Sequence, residues 1–338
     1  MVWIEFVVCL AIIVAAGSSL AKYGDRIAER TGVGRVWVGV VILAAITSLP
    51  ELASGISSVT FVGQPDLTMG DLFGSNLVNL AIIAIIDIFH RQGPILLYLG
   101  SGIVLSTVLS VTMIAVAAVS LYLAQNLLTI ALFGRIGIYS ILLFVMYLGA
   151  QYIIFKFQQV KGEPDEQHTS ASPNRGESLR PTMVFFLAAA VATIGAGIWL
   201  ATIGARISKE TGLSADFVGT LFLAFCTSAP EIVVSISAAR MGALDMAVGN
   251  MVGSNLFNMG VIIFVDDIFY AQGPVLQGVD MVHIVTALFA ILMSCVIITG
   301  ILFRPRYWLP AWARADSVFL AIIYIAAMVT LYSLGKQS

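Results

Sequence analysis

Two carboxylates sit inside apolar stretches of this chain, each directly after a proline. Glu51 ends the run Thr47-Ser48-Leu49-Pro50-Glu51, and Glu231 ends Thr227-Ser228-Ala229-Pro230-Glu231, 180 positions later. A second element follows each of them. Gly74 to Asn79 reads Gly-Ser-Asn-Leu-Val-Asn, and Gly253 to Asn258 reads Gly-Ser-Asn-Leu-Phe-Asn, at an offset of 179. On a helix, Thr47 and Glu51 share a face, with Ser48 and Ser54 three residues to either side of the glutamate. Thr227, Ser228 and Glu231 duplicate that pattern. Asp71, Ser75 and Asn79 recur at every fourth position, as do Asn250, Ser254 and Asn258, so each stripe offers oxygen donors only. Hard cations use such a set, Ca²⁺ taking roughly six to eight oxygens and Na⁺ a subset by the same logic. The stripes contain no thiolate or imidazole, which argues against copper, zinc or iron.

The prolines add to this chemistry. Pro50 and Pro230 lack a backbone N–H, so the carbonyls four residues earlier, on Ile46 and Cys226, are expected to lose their helical partners. Unpaired carbonyls at membrane depth are tolerated where they line a cavity, and broken helices near the bilayer midplane recur as cation sites. Serine, threonine and asparagine also serve as contacts between membrane helices, and glycine allows close approach. Packing is the expected role of Gly74, Gly253, Ser54 and Ser235. It does not account for Glu51 and Glu231, because a carboxylate at the bilayer centre costs roughly 2.5 to 3.5 kcal/mol even on the lenient scale. Here the cost is met twice, at matching positions. Asp87, Asp267, His90 and His283 fall at the ends of apolar runs, where interfacial capping or a salt bridge to a neighbouring Arg is expected. Asp66 and Asp245 fall in short connections, where helix N-capping is expected.

The elements that must position these groups follow from composition. Apolar residues make up 59% of the 338 and charged residues 11%, and mean hydropathy is +0.98, as in a polytopic membrane protein. Apolar runs near 2–21, 36–60, 69–89, 94–124 and 130–156 are each long enough to span a bilayer, and runs near 182–203, 215–239, 246–269, 275–303 and 316–334 match them in order. The fourth and ninth are too long to stand upright, so tilt or an interfacial end is expected. Residues 158–180 are polar, with Pro, Ser, Asn and Glu, and form a linker in which His168 is a solvated loop residue. The expected fold is therefore all-α with ten transmembrane helices: a first five-helix repeat at 1–157 carrying the motif 44–79, and a second at 181–338 carrying the motif 224–258. An odd number of spans per half inverts the second copy in the membrane.

Placing the N-terminus outside and the linker in the cytoplasm puts thirteen of the seventeen Lys and Arg residues on the cytoplasmic side, leaving Arg135, Arg206, Lys209 and Lys336 outside; the positive-inside rule favours that orientation. The N-terminal apolar stretch is long enough to be kept as a span rather than cleaved as a signal. A net charge of -2 with scattered basic residues excludes a nucleic-acid partner. The three cysteines fit neither a metal site nor a disulfide framework.

At its doubled motifs the chain resembles the cation/Ca²⁺ exchanger superfamily, and within it the microbial sodium/calcium exchangers. The resemblance covers the whole ten-helix architecture. It implies a protein of the cell membrane that is not an enzyme, needs no cofactor and no obligate protein partner, and exchanges Na⁺ for Ca²⁺ by alternating access. Ions would be held among spans 2, 3, 7 and 8 while spans 1 and 6 slide. By motif position, Glu51 and Glu231 would bridge the central sites, Thr47, Thr227, Ser48, Ser228, Ser75 and Ser254 would supply oxygen ligands with Asn79 and Asn258, and the carbonyls of Ala44 and Ala224 would complete outer sites. Four positions depart from the family pattern: Ile46 and Cys226 replace the usual Gly, Asp71 stands where Asn is common, and Asn258 stands where Asp is frequent. The alternative reading is a cation/H⁺ antiporter in which Glu51, Glu231 or Asp71 carries the proton, and a cation channel is a further one.

Overall fold

The computed structural model describes residues 2–32, 34–90, 93–126, 131–132, 135–161, 179–211, 224–303 and 315–334. Most of the linker, residues 162–178, and the start of the seventh run, residues 212–223, lie outside the described residues. The first half contains α1 (Val2–Thr31), α2 (Arg35–Val62), α3 (Pro65–Phe89), α4 (Ser101–Asn126) and α5 (Ile138–Lys161). The second contains α6 (Leu179–Thr211), α7 (Ala229–Arg240, preceded by helical residues 224–227), α8 (Leu244–Phe269), α9 (Val282–Phe303) and α10 (Ala315–Leu334). Among the described residues, nine of these are long and apolar enough to cross a membrane. The protein is a multi-pass membrane protein of two five-helix halves.

The fourth and ninth apolar runs begin in separate single 3₁₀ turns, Ile95–Leu97 and Val275–Gly278, before α4 and α9 start. Asp87 and Asp267 hold those turns by accepting the backbone N–H of Ile95 and of Val275, so the interfacial capping expected of them is what the chain does. The fifth run starts later than its hydropathy suggests. Ala131–Leu132 and Ile136–Gly137 pair as a short antiparallel hairpin, β1 and β2, and Asp267 also accepts the N–H of Gly137 and the hydroxyls of Tyr139 and Ser140.

α2 and α7 are broken where the prolines predict. Both segments leave the helix for one residue, at Ser48 (φ −87°, ψ 7°) and Ser228 (φ −79°, ψ 3°). The helix then restarts with Pro50 or Pro230 in its first turn, where a missing N–H costs no hydrogen bond. Among the described residues three π-helical stretches punctuate the spans, at Val38–Leu43, Ser58–Val62 and Asn258–Ile262. Two of them explain an irregularity of the repeat. The offset between halves is 180 up to Ser57 and Ser237, 179 from Asp66 and Asp245 to Asn79 and Asn258, and 180 again at Asp87 and Asp267. Each change coincides with a π-bulge in the half that has the extra residue, as a one-residue insertion absorbed within a helix should do.

α3 and α8 are the innermost spans, 72% and 83% buried over their most apolar windows, against 17% for α10. α8 lies directly against the start of α2. A Cβ on Gly253 would stand 2.3 Å from the Val40 carbonyl oxygen, and one on Gly39 2.5 Å from that of Met246. Backbone therefore touches backbone, and the packing role expected for Gly253 holds; Gly74 likewise packs on Ala224. α1 and α6 run along each other outside this centre.

Candidate functional site

The two breaks face one another, and each serves the other half. Ser48 Oγ donates to Glu231 Oε1 at 3.0 Å, while Ser228 Oγ lies 3.1 Å from Glu51 Oε1 and 3.0 Å from Ser75 Oγ. Ser254 Oγ reaches Glu231 Oε1 at 3.3 Å. One step away, Thr47 Oγ1 lies 3.3 Å from Asn250 Oδ1 and Thr227 Oγ1 donates to Asp71 Oδ1 at 3.0 Å. On the far side, Asn79 Nδ2 donates to Asn255 Oδ1 at 3.0 Å and Asn258 Nδ2 to Asn76 Oδ1 at 3.3 Å. The serine–glutamate contacts across the halves, the threonine contacts and the asparagine contacts each form a pair of mirror images under the repeat, which is how a pseudo-twofold axis through the centre must express itself.

All of these side chains are at most 1% exposed. Several of their oxygens nevertheless have no hydrogen-bond partner: Glu51 Oε2, Glu231 Oε2, Asp71 Oδ2, Asn79 Oδ1 and Asn258 Oδ1. Among the described residues no ion pair reaches any of the three carboxylates. Buried polar atoms are normally satisfied, and a buried charge normally has a partner, so this convergence of unpartnered oxygens is suited to a guest cation. Hydroxyls and amides provide most of the donors. No group of three or more His, Cys, Asp or Glu placed to hold a metal occurs among the described residues, so the carboxylates would act only together with their neutral neighbours.

The Ala44 and Ala224 carbonyls lie beneath the site and are engaged, accepting the N–H of Ser48 and Ser228 at 3.0 Å each. A carbonyl has a second lone pair, and here a threonine hydroxyl is within reach of it: Thr47 Oγ1 and Thr227 Oγ1 approach at 3.4 and 3.1 Å. Asn76 and Asn255 were not singled out by spacing, yet they close the site by holding the two outer asparagines. Their presence in both copies of the Gly-Ser-Asn motif was the available signal. Asp66 and Asp245 do not cap their own helices. They reach across the halves to the N–H of Asp280 and of Gly100, at 2.7 and 2.9 Å, again as a symmetric pair. His283 Nε2 lies 3.1 Å from Asp66 Oδ1 and His90 Nδ1 lies 2.8 Å from the Gly93 carbonyl, both at the ends of spans.

Fold and geometry define an inverted-repeat membrane protein whose centre is lined by paired carboxylates and neutral oxygens. The family described as sodium/calcium exchanger protein matches residues 1–153 and 181–333, and the chain belongs to that family. It is 26% identical to the sodium/calcium exchanger MaX1 of Methanosarcina acetivorans, over 98% of this chain and 99% of that protein. It is 24% identical to the inner membrane protein YrbG of Escherichia coli, over 76% of each. A solved structure of the sodium-calcium exchanger NCX_Mj, soaked with Na⁺ and Sr²⁺, superposes with a TM-score of 0.71 at 19% identity, covering 97% of this chain and 99% of that one. The ten-helix inverted-repeat fold is the same.

Proposed function

We propose that this protein is a secondary antiporter that exchanges Na⁺ for Ca²⁺ across the cell membrane by alternating access. The cations would bind between the two helix breaks, with Glu51 and Glu231 as the charged ligands. Thr47, Thr227, Ser48, Ser228, Ser75, Ser254, Asn79 and Asn258 would supply neutral oxygens, and the Ala44 and Ala224 carbonyls would lie at the outer edge. The observation that carries this reading is the crossed arrangement of the glutamates: each holds one oxygen on a serine of the opposite break and leaves the other buried and unpartnered. Such a site can be neutralised by one Ca²⁺ or by Na⁺ ions in turn, and a site at the interface of two inverted halves can be opened to either side by moving one part against another.

Asp71 adds a third carboxylate beside Thr227, where the family pattern commonly has Asn, and Asn258 removes one from the opposite stripe. The swap keeps the number of acidic groups and moves a charge from one half to the other. Orientation with the N-terminus outside and residues 158–180 in the cytoplasm follows from the loop charges. The test is Ca²⁺ uptake into proteoliposomes under imposed Na⁺, H⁺ and K⁺ gradients compared side by side. Uptake driven by outward Na⁺ is the expected result. Uptake that ignores Na⁺ and follows a proton gradient would establish the cation/H⁺ antiporter instead, and uptake indifferent to any counter-ion would indicate a channel.

A further inference from the structure

Asp266 is a carboxylate that neither the repeat nor the central site accounts for. It lies on α8 within a membrane-spanning segment and is 0% exposed. Its Oδ2 accepts the Thr68 hydroxyl at 2.6 Å, and its Oδ1 is buried with no hydrogen-bond partner. Among the described residues it forms no ion pair. Gly55 provides the space it occupies, since a Cβ there would fall 2.6 Å from Oδ2 and 2.8 Å from Oδ1.

Its neighbours place it along the route to the centre. Gly55 stands one helical turn beyond Glu51 on α2, and Thr68 stands one turn before Asp71 on α3. Both steps lead from the central site toward the membrane face formed by residues 62–66 and 269–282. The mirror-related positions contain no acid: Gly55, Thr68 and Asp266 correspond to Ser235, Ala247 and Ile86. At that position Ser235 Oγ accepts Asn250 Nδ2 at 3.0 Å, so the equivalent space on the other side is closed by a neutral hydrogen bond.

We propose that Asp266 and Thr68, packed against the bare backbone at Gly55, form an accessory cation site that serves only the face at residues 62–66. This rests on the exchange reading of the central site. A carboxylate and one hydroxyl are too few to strip a hard cation of its water, so the site would hold a partly hydrated Na⁺ or Ca²⁺ in passage. A buried carboxylate with no ion-pair partner among the described residues attracts cations far more strongly than one in water, and such an intramembrane acid is most simply explained as part of an ion pathway.

The experiment is sided kinetics in proteoliposomes, with orientation read by labelling Gln64→Cys with an impermeant thiol reagent. The Ca²⁺ KM is measured separately at each face under an opposing Na⁺ gradient. For Asp266→Asn, the ratio of KM at the 62–66 face to KM at the opposite face should rise about tenfold. Thr68→Ala should raise it about threefold and also stands in should Asp266→Asn not fold, while Asp266→Glu should restore part of the loss. A ratio unchanged in Thr68→Ala and Asp266→Asn, or equal losses at both faces, would overturn the proposal. Wild-type protein with no Na⁺-driven flux would instead overturn the exchange reading, and the sided comparison would then be made with whichever gradient drives uptake.

Discussion

Ser48 and Ser228 are small residues with a large role, because each links its own helix break to the glutamate of the other half. A hydrogen bond to a charged group is worth roughly 1.5 to 3 kcal/mol. Replacing either serine with alanine should therefore weaken Ca²⁺ binding at least tenfold while leaving the helices intact; equilibrium Ca²⁺ binding to purified protein measures it. Glu231→Gln should abolish Na⁺-driven Ca²⁺ uptake, with a monodisperse elution profile showing that the protein still folds. The reciprocal exchange of charge between stripes gives a third test at this scale. Asp71→Asn should lower Ca²⁺ affinity, and adding Asn258→Asp should recover part of it, since the acid is returned to the opposite stripe near the same centre. These residues were legible in the sequence because they occur twice, and chance does not repeat Thr-Ser-x-Pro-Glu in two apolar runs. Asp266 was not legible for the complementary reason. It has no copy, and it stands beside Asp267, whose copy at Asp87 accounts for the local pattern.

At the level of elements, the glycines show which surfaces must stay close and which must slide. The contact of Gly253 with the Val40 backbone leaves no room for a side chain between α8 and α2, so Gly253→Ala should lower stability by about 1 to 3 kcal/mol, read as a fall in Tm. Gly197 on α6 is a different case. A Cβ there would lie 2.4 Å from Pro50 Cγ and 3.2 Å from Pro230 Cγ, so this one residue of α6 touches both breaks. Under the alternating-access reading, α6 must move past those prolines, and Gly197→Ala should slow turnover more than it weakens Ca²⁺ binding. Comparing the uptake rate at saturating Ca²⁺ with equilibrium affinity separates the two effects. The number and order of spans were legible from hydropathy. The π-bulges were visible only as a change of offset from 180 to 179 and back, because an inserted residue in a helix alters register without altering composition. The reach of Asp66 and Asp245 across to the other half was hidden as well, since a short polar connection before a helix has the same sequence pattern whether its acid caps its own helix or a distant turn.

For the molecule as a whole, the repeat makes the two membrane faces nearly equivalent, and the departures from symmetry determine how they differ. The mouths match through Asp66 and Asp245. The centre matches through the crossed serines and asparagines. The step between mouth and centre does not match, because the positions equivalent to Asp266 and Thr68 hold Ile86 and Ala247. The central claim is that a cation sits between Glu51 and Glu231, bound by the oxygens the protein leaves unpaired. The most direct measurement is anomalous diffraction from crystals soaked in Sr²⁺ or Ca²⁺. The account predicts a peak about 2.3 to 2.6 Å from Glu51 Oε2 and Glu231 Oε2, displaced when Na⁺ is raised. Glutamates turned away from one another, with the peak elsewhere or none at saturating ion, would contradict it.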